Sequence, residues 1–571
     1  MSTPESGVAG ASLADLCQEY WLAHLARSPI EATQLGEHRH DDRLDDLTPG
    51  ATSAYSAELD EILARLRSVA AAGTSLSPED RVTASVLAHQ LETELSELAC
   101  DLDAWTVDPL EGPQIAIFNM AAFQPVATTG QREALAARWE AIGAYLDQYV
   151  SNLRRGLGEG RTAVRAPVMR AIGALEQMLS RPDEGWTLLD PVREGHSAWP
   201  AAEQGAFEAR LRVAVAEVVR PALTRLRDAL RDEILPRARP DEHPGIMHLP
   251  GGREAYTRLI RVHTSMEGTP EELHAIGRSE VDRINAELEA LGRRVLGDAN
   301  RSAILARLRA DPTLYFTTRE EVAATAETAL ARASAAIPSW FGRLPRAECV
   351  VVPMGEHEEE HGTIAYYAQP APDGTRPGRY YINTSAPRTR PRYEAEALAY
   401  HESIPGHHLQ IAIAQEAGAL PEFRRHLGVT AFWEGWGLYT ERLADEMGLY
   451  SGDLDRIGML SLDAWRACRL VVDTGMHAFD WSRQQAIDFM LVNTALATNN
   501  IENEVDRYIV WPGQALAYKT GQLALVRLRG DTEDRMGSRF DIRAFHDAVL
   551  GHGALPLQTL REVVEQQLGT A

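Results

Sequence analysis

The stretch EALAYHESIPGHHLQIAIAQ (Glu396–Gln415) places three histidines and a glutamate within eight residues of helix-forming sequence, with Pro405-Gly406 set among them. No other feature constrains the fold as tightly. On an unbroken helix, positions six apart lie on roughly opposite sides. Positions seven apart share a face but stand about 10 Å apart along the axis. Pro405 cannot donate a backbone hydrogen bond and disfavours α geometry at Ile404, while Gly406 accepts unusual dihedrals. A kink or a bulge of two extra residues returns His407 to the place that the second histidine holds in His-Glu-x-x-His. His408 then points behind that place or toward a ligand, and the reverse assignment of His407 and His408 stays open.

Burying such a cluster is costly unless its members are paired or bind a metal. A third donor is available in TAFWEGWGLYTERLADEMG (430–448), which reads as a helix with Glu434 and Glu441 seven apart on one face. Glu434 sits among Phe432, Trp433 and Trp436, where an unpaired carboxylate is unfavourable. Zinc would offset that burial, and two histidines with one glutamate and an open position form a known catalytic set. The expectation is one Zn2+ ion; Glu441 is open to a pairing with an arginine, either Arg442 or another outside this helix.

The rest of the chain predicts a mainly α protein. From about Leu13 to Arg343 it is rich in Ala, Leu, Glu and Arg, and segments such as AELDEILARLRSVAAAG repeat apolar residues every three or four positions. Ser77 before Pro78 and Thr269 before Pro270 read as helix starts. Near residue 348 the character changes. ECVVVPM (348–354), TIAYYAQP (363–370) and RYYINTS (379–385) read as a small sheet beside the motif helix, with PAPDGTRPG as the turn between the last two. Residues 1–12 are expected to be disordered. The Pro/Gly-rich stretch 238–252 suggests a division into 13–245 and 246–571, packed as one compact unit.

Composition narrows the function classes. Of 571 residues, 82 are acidic and 57 basic, for a formal net charge of −25. That field repels nucleic-acid phosphates and anionic lipid, so neither nucleic acid nor membrane is expected as a partner. The four cysteines are far apart and form no CxxC pair, the N-terminus lacks a basic region before an apolar core, and no apolar run approaches the roughly 20 residues of a membrane span. A cytoplasmic protein is the resulting expectation, its oligomeric state left open.

The segments YHESIPGHHLQ, FWEGWGLYTERL, DGTRPGRYYIN, VDTGMHAFDWSRQQAIDFM and RYIVWPGQALAYKTG together resemble the domain-of-unknown-function-885 family, bacterial proteins similar to zinc peptidases of the glutamate-zincin type. The resemblance implies a multi-helical zincin-like fold with a deep central channel. It also implies His401, His407 and Glu434 as metal ligands and Glu402 as general base. The expected activity is hydrolysis of a peptide or amide bond by a zinc-activated water. A small non-peptide amide as substrate, and an inactive zincin-fold binding protein, are the alternatives. Donors for a developing oxyanion are sought downstream in His477 (with Asp473 four residues before it), Arg507, Tyr508 as first choice and Tyr518 as second. An extended substrate would pair with a sheet edge offered by RYYINTS, with Tyr381 and Asn383 as substrate-binding residues. The acidic run GEHEEEHG (355–362) reads as a solvated loop.

Overall fold

The computed structural model describes residues 12–71, 76–193, 199–355, 363–371, 374 and 376–569. Helix starts follow the local chemistry. The Ser12 hydroxyl accepts the Asp15 N–H while the Asp15 carboxylate accepts the Ser12 N–H, and this reciprocal cap opens the helix Leu13–Arg27. Ser12 is therefore ordered, which shortens the terminus expected to be disordered; residues 1–11 lie outside the described residues. Ser77 with Asp80 and Thr269 with Glu272 repeat the device ahead of Pro78 and Pro270.

Two 26-residue helices, Pro270–Val295 and Asp453–Ala478, pack along their length. The second is buried through nearly all of Ile457–His477 and forms the axis of the C-terminal half. Thr430–Glu446 and Leu516–Met536 make a comparable pair beside it. Packing does not divide at 245/246. Leu16, Tyr20, Leu59 and Leu87 share one apolar core with Phe423, Trp436, Phe545 and Leu560, whereas residues between Val107 and Ile234 form a second core of their own. The N-terminal helices thus clamp the C-terminal ones, and the loop after Ala238 lies on the axial helix, where the Ile246 N–H bonds His477.

The sheet has three strands in the order β1 (Cys349–Pro353), β3 (Gly378–Ile382), β2 (Ala365–Ala368), with β1 parallel and β2 antiparallel to β3. The strand in RYYINTS is therefore central, with both edges already paired, and cannot present an edge to an extended ligand. β2 is the edge strand packed near the motif helix. Of the turn PAPDGTRPG, residues 372, 373 and 375 lie outside the described residues, as do residues 356–362 of the acidic run. Among the described residues no helix is long and apolar enough to cross a membrane.

Candidate metal centre

The motif does not form one bulged helix. A first helix, Ala395–Glu402, stops at Ser403, and a second begins at His407 and runs to Glu416. Between them the Ser403 N–H and hydroxyl both bond the Ala399 carbonyl, and the Ile404–Pro405 peptide is cis. Gly406 passes so close to the preceding turn that a Cβ there would stand 1.9 Å from the His401 carbonyl oxygen, which excludes any side chain. The Pro405 carbonyl, freed from helical pairing, accepts the indole N–H of the fully buried Trp436 at 3.0 Å. This bond ties the break to the helix Thr430–Glu446, which carries the carboxylates.

The reversal brings the imidazoles of His401 and His407 nearly perpendicular, with ring centroids 4.7 Å apart. Glu434 faces both: its Oε2 stands 3.6 Å from His401 Nε2 and 3.7 Å from His407 Nε2. One donor atom from each of the three residues lies within 4.8 Å of the others. Direct N–H···O bonds fall at about 2.7–3.2 Å. Bonds of about 2.0–2.1 Å to one tetrahedral ion place neighbouring donors about 3.3–3.4 Å apart. The observed separations are long for hydrogen bonds and close to those of shared ligands, so the donor set fits a zinc ion.

His401 is oriented from behind. Its Nδ1 donates to Glu441 Oε1 at 2.8 Å, which leaves the Nε2 lone pair directed at Glu434 and His407. Burial disfavours a charged His401, but the neighbouring Glu434 and Glu441 carboxylates outweigh it and bring its pKa up to about 9, so a cation held at Nε2 would take the place of a proton there. Burial likewise opposes an ionised Glu434, and the two imidazoles overcome it, holding this carboxyl well below its ordinary range. Gly437 makes room for the arrangement: a Cβ there would meet His401 Cε1 at 2.5 Å. Glu441 is thus the partner of His401 and not of Arg442, which bonds Asp463 and Glu287.

His408 is not brought to the cluster. Its Nδ1 accepts from the Tyr367 hydroxyl at 3.0 Å and its Nε2 donates to the Ala347 carbonyl at 3.0 Å, so no lone pair remains for an ion. Burial pushes its pKa down to about 4, in keeping with a neutral ring. His408 locks the second helix to the sheet, and His407 is the histidine that turns inward.

The cluster opens into a cavity of about 450 Å³ whose wall includes Glu402, Tyr366, Trp433, Arg466, Arg469, Arg507 and Tyr518. Glu402 ends the first motif helix at the cavity wall, next to His401, and no hydrogen bond ties its carboxylate among the described residues. Tyr518 also reaches the wall. Burial and the nearby Glu434 carboxylate raise its pKa against the guanidinium groups of Arg507 and Arg469, so the phenol keeps its proton and can donate.

Tyr508 and His477 are placed elsewhere. The Tyr508 hydroxyl accepts from Trp465 and Arg469 and donates to Glu504, at 3.0, 2.8 and 2.6 Å, which uses its capacity within the core. His477 accepts the Ile246 N–H at Nδ1 and donates from Nε2 to the Tyr508 carbonyl. Asp473, expected to orient it, bonds the Tyr256 hydroxyl and the Gly513 N–H instead. Tyr381 stacks on Tyr366 and takes a hydrogen bond from Arg379, and it does not line the cavity. Asn383 borders the cavity, but its amide bonds the Thr363 carbonyl and its oxygen accepts from Ser385, so it shapes the strand end. Arg466 and Arg469 were not singled out in the sequence; the only sign of them is two arginines three apart within an otherwise apolar helix.

The sequence matches the family described as "Bacterial protein of unknown function (DUF885)" over residues 29–564, and the chain belongs to that family. No protein of curated function matches it. Among solved structures it is similar to one described as a "putative lipoprotein" from Colwellia psychrerythraea, at TM-score 0.91 and 26% identity, over 98% of this chain and 99% of that one. A second, from Shewanella oneidensis and described as a "putative lipoprotein of unknown function", aligns at TM-score 0.73 and 18% identity over 97% and 99%, and shares the fold.

Proposed function

We propose that the chain is a zinc-dependent hydrolase of zincin type that cleaves a peptide or amide bond within this cavity. The observation that carries the reading is the convergence of His401 Nε2, His407 Nε2 and Glu434 Oε2 at 3.6–3.7 Å, with Glu402 beside them on the cavity wall. A zinc ion held by these three residues would lower the pKa of a water and polarise a carbonyl. Glu402 takes the proton from the attacking water and passes it on to the leaving amine. Glu441 keeps His401 in the Nδ1–H tautomer. Tyr518 donates a hydrogen bond where charge develops on the scissile oxygen. Trp433 and Tyr366 supply apolar wall, and the β2 edge lies along the cavity for an extended substrate.

Glu402→Gln keeps the shape and removes the base. With the zinc-loaded protein and a panel of acylated dipeptides and longer peptides, turnover should fall about 10²–10⁴-fold while zinc content is unchanged. Equal turnover by the variant would contradict the assignment. As for compartment, the four cysteines carry no disulfide, which supports a reducing one. The word lipoprotein in the descriptions of the two similar structures points the other way for those proteins. We propose a cytoplasmic location; recovery of the protein in a membrane or periplasmic fraction would overturn it.

A further inference from the structure

In a chain of net charge −25, four arginines and five glutamates line the cavity that holds the candidate metal centre, and three of the arginines, Arg466, Arg469 and Arg507, are grouped around Trp465 and Glu504. Their side chains are recessed: Arg466 and Arg469 are 4% and 3% exposed, and the Arg507 side chain is 16% exposed. Protein acceptors satisfy them only in part. Arg469 donates from Nε to Tyr508 and from Nη2 to Glu504, and its Nη1 has no acceptor among the described residues. Arg507 approaches Glu504 at 3.5 Å and also faces the Tyr518 hydroxyl, while its Nε and Nη2 lack a well-aligned acceptor among the described residues. Arg466 stands 3.7 Å from Glu441 and leaves Nε unmatched. Buried guanidinium N–H groups without acceptors are unfavourable, and three arginines with such groups on one cavity wall favour an anion that can reach them.

The arginines are held rigidly. The Arg469 guanidinium lies 4.1 Å from the centroid of Tyr518 and 4.5 Å from that of Trp465, and Arg466 lies 4.4 Å from Trp465. They are also close to the metal cluster. Arg466 stands 3.7 Å from Glu441, which bonds His401, and Tyr518, on whose ring Arg469 lies, is near enough to Glu434 to feel its charge. We propose that Arg466, Arg469 and Arg507 form a subsite for a substrate carboxylate, which the planar guanidinium fork matches in two parallel hydrogen bonds. The inference rests on the hydrolase reading and deepens it. Arg466 lies two contacts from His401 and Arg469 three, and a peptide advances about 3.5 Å per residue, so the carboxylate belongs to the same short fragment as the cleaved bond. The substrate class is then a short peptide or acylamino acid with a free C-terminal α-carboxylate, or one with an acidic side chain at the same remove.

Binding tests this without turnover. Zinc-stripped protein is titrated calorimetrically with three acetylated dipeptide probes: one with a free C-terminal carboxylate, its C-terminal amide, and an amide carrying a glutamate side chain. The free acid should bind at least about tenfold more tightly than the plain amide, consistent with a charge-assisted pair. The glutamate probe reports whether a side-chain carboxylate is accepted as well. Arg507→Gln should remove the preference while leaving zinc content and the thermal midpoint of the protein in place, and Arg507→Lys should restore part of it. Equal binding of acid and amide by the unsubstituted protein would overturn the subsite even if turnover is found. A preference without turnover would leave the subsite and remove the hydrolase.

Discussion

Two groups of two histidines and one acid occur among the described residues, and they differ in every respect that decides metal binding. His243, His248 and Asp480 lie at the surface, with side chains 52%, 26% and 48% exposed. Both imidazoles already hydrogen-bond one carboxylate oxygen, at 2.9 and 2.8 Å. In the cavity, Glu434 stays 3.6–3.7 Å from its two imidazoles, and Glu441 holds one ring in place from behind. The surface group has collapsed onto itself and is complete without an ion. The cavity group is held open by a helix break, a missing Cβ at Gly437 and the Trp436–Pro405 bond, which leaves a separation that suits the proposed ion. Both are two imidazoles and a carboxylate; the separation imposed by the backbone differs.

Substitutions can sharpen that contrast. Removing a cavity donor should have the largest effect: His407→Ala or Glu434→Ala should weaken zinc by about 10³-fold or more, roughly 4 kcal/mol, in competition titrations with a chelator. Glu441→Gln keeps the fold but replaces a charged acceptor behind His401, and a loss of about 10–100-fold in zinc affinity is expected. Gly437→Ala forces its methyl group against the His401 ring. That overpacking, about 1–3 kcal/mol, should appear in zinc affinity as well as in thermal stability. If stability alone changes, Gly437 shapes the core and not the site.

The surface group should respond least. Asp480→Asn and His248→Ala should leave zinc stoichiometry unaltered and move the thermal midpoint by less than about 1 °C. The His243 hydrogen bond, against slight burial and with help from His248, holds the Asp480 carboxyl below its ordinary value of 3.8. Its contribution to stability is therefore present above that pH and lost as pH falls, so any difference between Asp480→Asn and the parent should shrink on acidification. A difference that instead grows on acidification would contradict the pairing.

Much of the site was legible because it depends on local chemistry. Pro405 and Gly406 announced a break, and Glu434 among aromatic residues announced a carboxylate in need of a partner. Capping residues likewise announced where helices begin. What stayed hidden depends on long-range packing. Nothing in RYYINTS reveals that β1 will pair with it in parallel and leave β1 and β2 as the two edges. The sequence places Tyr508 ahead of Tyr518, yet Arg469 and Glu504 fix Tyr508 in the core while Tyr518 reaches the cavity. At 245/246 composition marks a loop but not the core to which the flanking helices belong, and the shared core of Leu16–Leu91 and Phe423–Leu568 could not be read from it.

The central claim, that His401, His407 and Glu434 hold one zinc ion, is met most directly by X-ray absorption on protein loaded with one equivalent of zinc. The account predicts a four-coordinate nitrogen and oxygen shell at about 2.0–2.1 Å with two imidazoles, reduced to one imidazole in His407→Ala and unchanged in His408→Ala. A shell of six oxygens, or a spectrum that loses an imidazole with His408→Ala and not with His407→Ala, would contradict it.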